Sequence, residues 1–473
     1  MKKSKFITLL RTLDKQELPK FHKYLRQNHP NDEAPLAVFE YVQKYCPELK
    51  DEKKLAIGYA YQKIFKKDME ESKANRLNML NALSDLHIWL KQFLLLEKVK
   101  SDSFEGRTFW MSILKERGLL PEYSRKAALL QREVEEMPKS SIPDYMKGMV
   151  ANYYFYYHLT QDKQKEDIAA LMDCARDLDL FYAVSRLKIA CEIANRRQLK
   201  VQSHEMEPLP AIMALSQTYP ASEHPLLALY IRVYELISSQ NGALYPEIES
   251  MLKANIAFIH PEEVHVILGY LHNYLAHSLR RGDNAYLAMT HSLNKFTVEH
   301  NILSGSGGIS VNHFANIVSV ACGVGEVAWA NSFIANSQAL LPGDLRKDAV
   351  GLAEAIVHFE KKEFDEVLVE LREITYHDLL FNIRARTLLL RSYYELFGQK
   401  TSVVLDYCVA FETFLKRQRA PRREAVEAAR NFIGIVKKLA AGKIGKDAIL
   451  DCIHHTSPLY HKDWLLEKAS LLP

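Results

Sequence analysis

Apolar residues along this chain return at three- and four-residue steps, with no sustained run of alternating apolar and polar positions. Such spacing places them on one stripe of an α-helix and predicts almost no β-strand. The clearest case runs from Lys347 to Lys361, where Val350, Ala353, Ala355, Ile356 and Phe359 share one broad face. A short turn at Lys362-Glu363 separates it from a second stripe formed by Phe364, Val367, Leu368, Leu371 and Ile374. Ala355, small at the expected crossing, lets two backbones approach, and Phe364 plugs the gap to the next unit. This is the packing logic of a tetratricopeptide-type hairpin.

The plan repeats. Leu379–Phe397 reads as a long amphipathic helix ended by Gly398, and Thr401 caps a partner that runs to about Lys416. First helices of successive pairs are expected near Tyr145, Asp179, Glu223, Glu262, Ser310, Lys347 and Leu379, at steps between 32 and 48 residues. A regular tetratricopeptide array repeats every ~34 residues. The expected fold is therefore all-α, an N-terminal helical bundle followed by a degenerate tetratricopeptide-like α-solenoid. The alternative is an irregular helical domain without solenoid curvature. Only 18 Gly and 17 Pro interrupt 473 residues, and most stand at the expected boundaries.

Two parts are expected. Residues 1–100 carry helical stripes over Phe6–Leu13, Leu18–Gln27, Leu36–Tyr45, Lys54–Phe65 and Ala74–Lys98 and form the bundle. Ser101-Asp102-Ser103 is a polar break. Residues 101–473 then form the repeat region, entered through helices up to Met137 and closed by Glu424–Leu439 and a short tail.

Charge adds an asymmetry that the net value of +4 conceals. Residues 1–100 hold 20 Lys and Arg against 13 Asp and Glu, a net +7. Residues 416–446 hold 10 basic and 2 acidic residues, a net +8, and the stretch between these two carries −9. Arg417, Arg419, Arg422 and Arg423 make the densest basic cluster. It reads either as a patch for phosphates or an acidic partner, or as a solvated helix end where cations are favoured anyway.

The search for chemistry excludes more than it finds. There is no phosphate-binding Gly-x-x-x-x-Gly-Lys-Ser/Thr run, and Gly305-Ser306-Gly307-Gly308 sits between helices, where it reads as a connector. His265, His272 and His277 are spaced by seven and five, which sets no adjacent ligand pair on a helix. His454, His455 and His461 have only Cys452 nearby. The sequence thus offers no catalytic residues, no metal ligands and no cofactor site, and an enzyme is not expected. Tyr153-Tyr154-Phe155-Tyr156-Tyr157 cannot all face one core, so one or two phenols are expected at the surface. Six scattered cysteines read as reduced core residues, no export signal or membrane-spanning stretch is evident, and a cytoplasmic location is expected.

Several short motifs give a resemblance. They are Asn273-Tyr274, Arg280-Arg281-Gly282-Asp283, Asn316-Ile317-Val318, Trp329-Ala330, Phe333-Ile334, Leu341-Pro342, Tyr393-Tyr394-Glu395-Leu396 and Phe414-Leu415-Lys416-Arg417. Leu10, Leu13, Glu17, Phe21 and Tyr24-Leu25 add an N-terminal pattern. Together they resemble a group of uncharacterised helical-repeat proteins common in bacteria of the Bacteroidota type. The resemblance implies tetratricopeptide-like solenoids in the cytoplasm and no particular activity.

The expected role is a non-catalytic scaffold that binds a protein or peptide along a concave surface. The alternative is a nucleic-acid-associated regulatory protein using its basic ends. First helices line the concave side of such arrays, so Asn273, Asn316, Arg384 and Arg391 are the candidate partner-binding residues. The competing reading is that they cap turns or pair with neighbouring acids.

Overall fold

The structure is a computed structural model. It describes residues 1–473 apart from 2–3, 47–48, 50, 52, 67–72, 101–102, 158–167, 199–208, 281–284, 305–307, 373, 375–377, 399–401, 418–422, 443 and 473. Among the described residues all regular structure is helical, without a strand. The helices are α1 (Lys5–Leu10), α2 (Glu17–Asn28), α3 (Glu33–Gln43), α4 (Ile57–Phe65), α5 (Lys73–Lys100), α6 (Phe104–Glu116), α7 (Leu120–Glu136), α8 (Ile142–Tyr156), α9 (Ile168–Gln198) and α10 (Leu209–Ser216). There follow α11 (Pro225–Ser239), α12 (Tyr245–Asn255), α13 (Pro261–Arg280), α14 (Ala285–Glu299), α15 (Val311–Gly323), α16 (Val327–Ser337) and α17 (Arg346–Glu360). The remainder are α18 (Phe364–Arg372), α19 (Leu379–Phe397), α20 (Ser402–Lys416), α21 (Arg423–Ala441), α22 (Lys446–His455) and α23 (Lys462–Ser470).

The chain packs as two units, residues 1–137 with 146–177, and residues 138–145 with 178–473. The boundary expected near residue 100 falls inside the first. In that unit α1, α2 and α3 pack on α5. Phe6, Ile7, Leu10, Phe21, Phe39, Leu86 and Phe93 are buried there, with the Phe21 ring edge-on to Phe39 at 5.2 Å. Local chemistry fixes the helix starts. Ser4 Oγ accepts from the Ile7 amide that opens α1, and Ser103 Oγ accepts from Gly106 at the start of α6. A smaller core joins α6, α7 and Ala151 through Met111, Leu114, Tyr123 and Leu130. The aromatic run divides as its spacing requires: Tyr154 and Phe155 pack on that core, while Tyr153 and Tyr157 are exposed.

In the second unit nearly every helix from α11 onward packs on the next, and α15, α17, α19, α21 and α23 also touch in succession. From α15 onward the odd-numbered helices therefore make one row, and each even-numbered helix packs on its neighbours in the chain. Several helices begin close to their expected starts, at Pro225, Pro261, Val311, Arg346 and Leu379. Asp179 is the exception: it lies inside α9, and no helix begins there. Residues 168–198 contain neither Gly nor Pro, so nothing in the backbone stops a helix that starts upstream. The turn after α19 follows expectation, with Gly398 at φ +68° donating its N–H to Tyr394 O at 2.9 Å. An L side chain rarely adopts that backbone conformation.

One buried polar link crosses three helices of this unit. Glu263 of α13 is 4% exposed, and its Oε2 accepts from Lys188 Nζ of α9 at 2.8 Å and from Tyr230 Oη of α11 at 2.5 Å. Removing the carboxylate would strand a cation and a hydroxyl. Glu263→Ala is expected to cost about 3–5 kcal/mol, and Tyr230→Phe about 1 kcal/mol, read from urea midpoints. A loss under about 1 kcal/mol for Glu263→Ala would show the link to be dispensable.

Candidate functional site

The row of odd-numbered helices carries one concentrated set of polar side chains, and α19 organises it. Asp378 Oδ1 accepts from the Phe381 amide at 2.9 Å and starts the helix. Phe381, Ile383, Ala385, Leu388, Leu389, Leu390 and Tyr394 are buried, so most of the helix surface faces core. Asn382 and Arg386 bond each other on one side, and Arg384, Arg391 and Glu395 stand at steps of seven and four. That spacing sets them on one line.

Arg384 reaches across to α15. Its Nη1 donates to Asn312 O at 3.3 Å and its Nη2 donates to Asn316 Oδ1. Asn312 Nδ2 in turn donates to Asp378 Oδ2 at 3.2 Å. Burial lowers the Arg384 pKa, with Tyr460 and Asp378 opposing the shift. Arg391 reaches the other way, to α23. Its guanidinium lies 4.0 Å from the ring centroid of Phe359 (α17) and 5.5 Å from that of Trp464 (α23). Its Nη1 meets His461 Nδ1 at 3.3 Å, while Nε is buried without a partner. Burial pushes its pKa down to about 10, against the pull of Glu360, Glu395 and Glu467, so it stays charged at neutral pH.

His461 precedes α23 in a left-handed backbone conformation, φ +52°. The residue is exposed overall, with Arg391, Phe432 and Tyr460 standing around its ring. Desolvation by these neighbours, then the positive charges of Arg391 and Arg384, push its pKa well below the usual histidine value. The imidazole is therefore neutral at neutral pH. A guanidinium only donates, so Nδ1 accepts and the ring proton sits on Nε2. Glu395 closes the set, its Oε1 taking Trp464 Nε1 and Lys468 Nζ, each at 2.7 Å.

Three of the four candidate partner-binding residues thus lie together. Asn316 and Arg384 bond each other, and Arg391 stacks two turns further along α19. Neither arginine lies within ion-pair distance of a described carboxylate. Asn273 stands apart on α13, half-buried, and its side chain makes no hydrogen bond to a described residue. Its neighbour His272 places Nε2 3.0 Å from Asn294 Oδ1 and its ring 5.7 Å from His313. Sequence reasoning missed Asn312, Phe359, His461 and Trp464 as members of the site. The available signal was spacing: the contacts of Arg384 and Arg391 span 68, 70 and 72 residues.

The basic cluster is largely outside this view. Arg419 and Arg422 lie outside the described residues, and Arg423 opens α21 without a described side chain. Arg417 is exposed after α20. Two other cations of that segment are engaged, Lys437 with Glu412 at 2.7 Å and Lys438 with Cys452 Sγ at 3.1 Å. Among the described residues no group of three His, Cys, Asp or Glu is placed to hold a metal ion, and no helix is long and apolar enough to cross a membrane. All six cysteines are free, and burial raises the thiol pKa of Cys322 and Cys408 to about 12. No protein-family model matches the chain, and no curated protein or solved structure matches it significantly.

The histidines beside Asn273 predict a pH response. Burial, followed by His272 and His265, lowers the His313 pKa from 6.5 to about 4. Between those values the unfolded chain binds a proton that the folded chain refuses. The stabilisation is complete above about pH 6.5 and is lost as pH falls towards 4, up to about 3 kcal/mol. Urea midpoints should therefore drop between about pH 7.5 and about pH 5. His313→Gln should flatten that slope. An unchanged slope would place the acid response elsewhere.

Proposed function

We propose that the helices from Pro225 onward stack as a degenerate tetratricopeptide-like solenoid, and that the protein is a non-catalytic, cytoplasmic scaffold for a protein or peptide. The observation that carries this reading is the reach of α19. Its bonds to Asn316 and His461 span 68 and 70 residues, two repeats of the ~34-residue unit. Contact between odd-numbered helices two units apart is what an inward-curving row of repeats would give, and it supports this reading. A surface built on packed helices is preformed, so a bound segment costs less ordering of the protein than a loop-built site would.

The test is affinity capture from lysate with the intact chain and with Asn273→Ala and Asn316→Ala, with and without nuclease, followed by affinity measurement for the captured partner. Each substitution is expected to lower affinity by roughly 1 kcal/mol or more; the melting temperature should barely move for Asn273→Ala and should fall for Asn316→Ala, which takes an acceptor from Arg384. Equal affinity in wild type and variants would remove these residues from the groove. Capture abolished by nuclease, with steep salt dependence, would favour a nucleic-acid partner instead.

A further inference from the structure

Helix α5 carries apolar residues on two opposite faces. Met79, Leu86, Leu90 and Phe93 are buried in the core of the first unit. Leu77, Ile88, Leu95 and Val99 fall half a turn away from them, with Leu80 at the edge of the same line. These five are between 46% and 58% exposed. Their line runs for about 33 Å. Single exposed apolar residues are ordinary on a protein surface, but a row of them marks a contact. Asn81, Ser84, Lys91 and Gln92 interrupt it. A lipid surface wets a broad apolar face, whereas a partner helix needs only a narrow strip and tolerates such interruptions. The line shares no residue with the polar face of α19.

The order of these residues reads nearly the same in both directions about Ile88. Leu77 and Val99 stand eleven residues before and after it, and Ser84 and Gln92 four before and after it. Leu95 stands seven after it, and Leu80 and Asn81 eight and seven before it. We propose that α5 pairs antiparallel with α5 of a second copy of this chain, about a two-fold axis at Ile88. A two-fold interface presents the same patch from both sides, so each residue meets its mirror position. Leu77 then lies opposite Val99 of the second copy, Leu95 between Leu80 and Asn81, Ser84 opposite Gln92, and Ile88 opposite itself. Lys91 comes beside Ser84 rather than its own copy, so no like charges meet in the middle of the seam. Sliding one helix by seven residues loses this match. In one direction Ile88 meets Asn81 and Leu77 meets Gln92. In the other, Leu77 and Leu80 pass beyond the end of the facing helix. A different partner protein would impose no such symmetry on the line.

The experiment follows the full chain by sedimentation velocity from roughly 1 to 100 μM. The mass is expected to rise with concentration from 54.4 kDa towards twice that value. Ile88→Glu and Ile88→Lys each bring like charges together on the axis, and each alone should weaken association by roughly tenfold or more. Mixed in equal amounts, the two variants should associate again, because unlike charges then meet there. Ile88 is half-exposed, so neither change opens the core, and retained helical circular dichroism checks this. Leu77→Ala keeps the charge and the helix propensity and should weaken association by a smaller factor. It keeps the test open if both charged variants disturb folding. A monomer throughout the range would overturn the proposal. So would dimers that persist in both charged variants, or charged variants that stay apart when mixed. Vesicles of acidic phospholipid that bind the monomeric wild type and not Ile88→Glu would overturn it in favour of a lipid surface.

Discussion

Enclosure of α19 is the constraint on which the C-terminal unit depends. Among the described residues α15, α17, α18, α20 and α21 pack along it, and α23 meets it through Trp464 and Lys468. Its surface is therefore committed to core almost all the way round, with even Thr387 and Ser392 buried and their hydroxyls returned to the helix's own carbonyls. A helix so surrounded leaves few positions for side chains that cannot lose water. Arg384, Arg391 and Glu395 share one line of it, and Asn382 with Arg386 lies on another.

The arginines are tolerated there for different reasons. Arg384 has two oxygen acceptors on α15. Arg391 has aromatic faces above and beside it and a neutral imidazole at its tip. Neither arrangement discharges a guanidinium as fully as a carboxylate in contact would. The nearest acids are engaged elsewhere or stand at the exposed edge. Lys468, by contrast, is held by Glu395 and Glu467, and its pKa is raised accordingly. Lys468 is thus in contact with carboxylates, whereas Arg384 and Arg391 are held by neutral acceptors and aromatic rings, which separates them from ordinary surface ion pairs.

Most of the helical architecture could be read from the chain. Apolar spacing located α19 to the residue and α17 to within one position, because each has a strong stripe and a clear stop. It misplaced a helix start at Asp179, where a long stretch without Gly or Pro gives periodicity no edge to register. Arg384 and Arg391 were legible as polar residues on an expected first helix. Their partners were not. Which acceptor a guanidinium finds depends on how helices distant in sequence pack, and that is set by summed side-chain volumes across many crossings. Phe359 reads from the sequence as one more core residue, and only packing shows that an arginine lies flat on it. His461 carries no local pattern at all.

The spans of these bonds carry a consequence for folding. Each helix pair closes a short loop and can form from neighbouring contacts, at small entropic cost. The bonds from Arg384 and Arg391 join positions 68–72 residues apart in sequence. They bring little reward until two intervening hairpins are already in place. The polar face is therefore a late product of folding, completed when the last neighbouring pair docks and the first to come apart when a terminal pair frays. Its integrity reports on the whole C-terminal unit rather than on any one helix, so a probe at His461 would sense loosening of the array well before global unfolding.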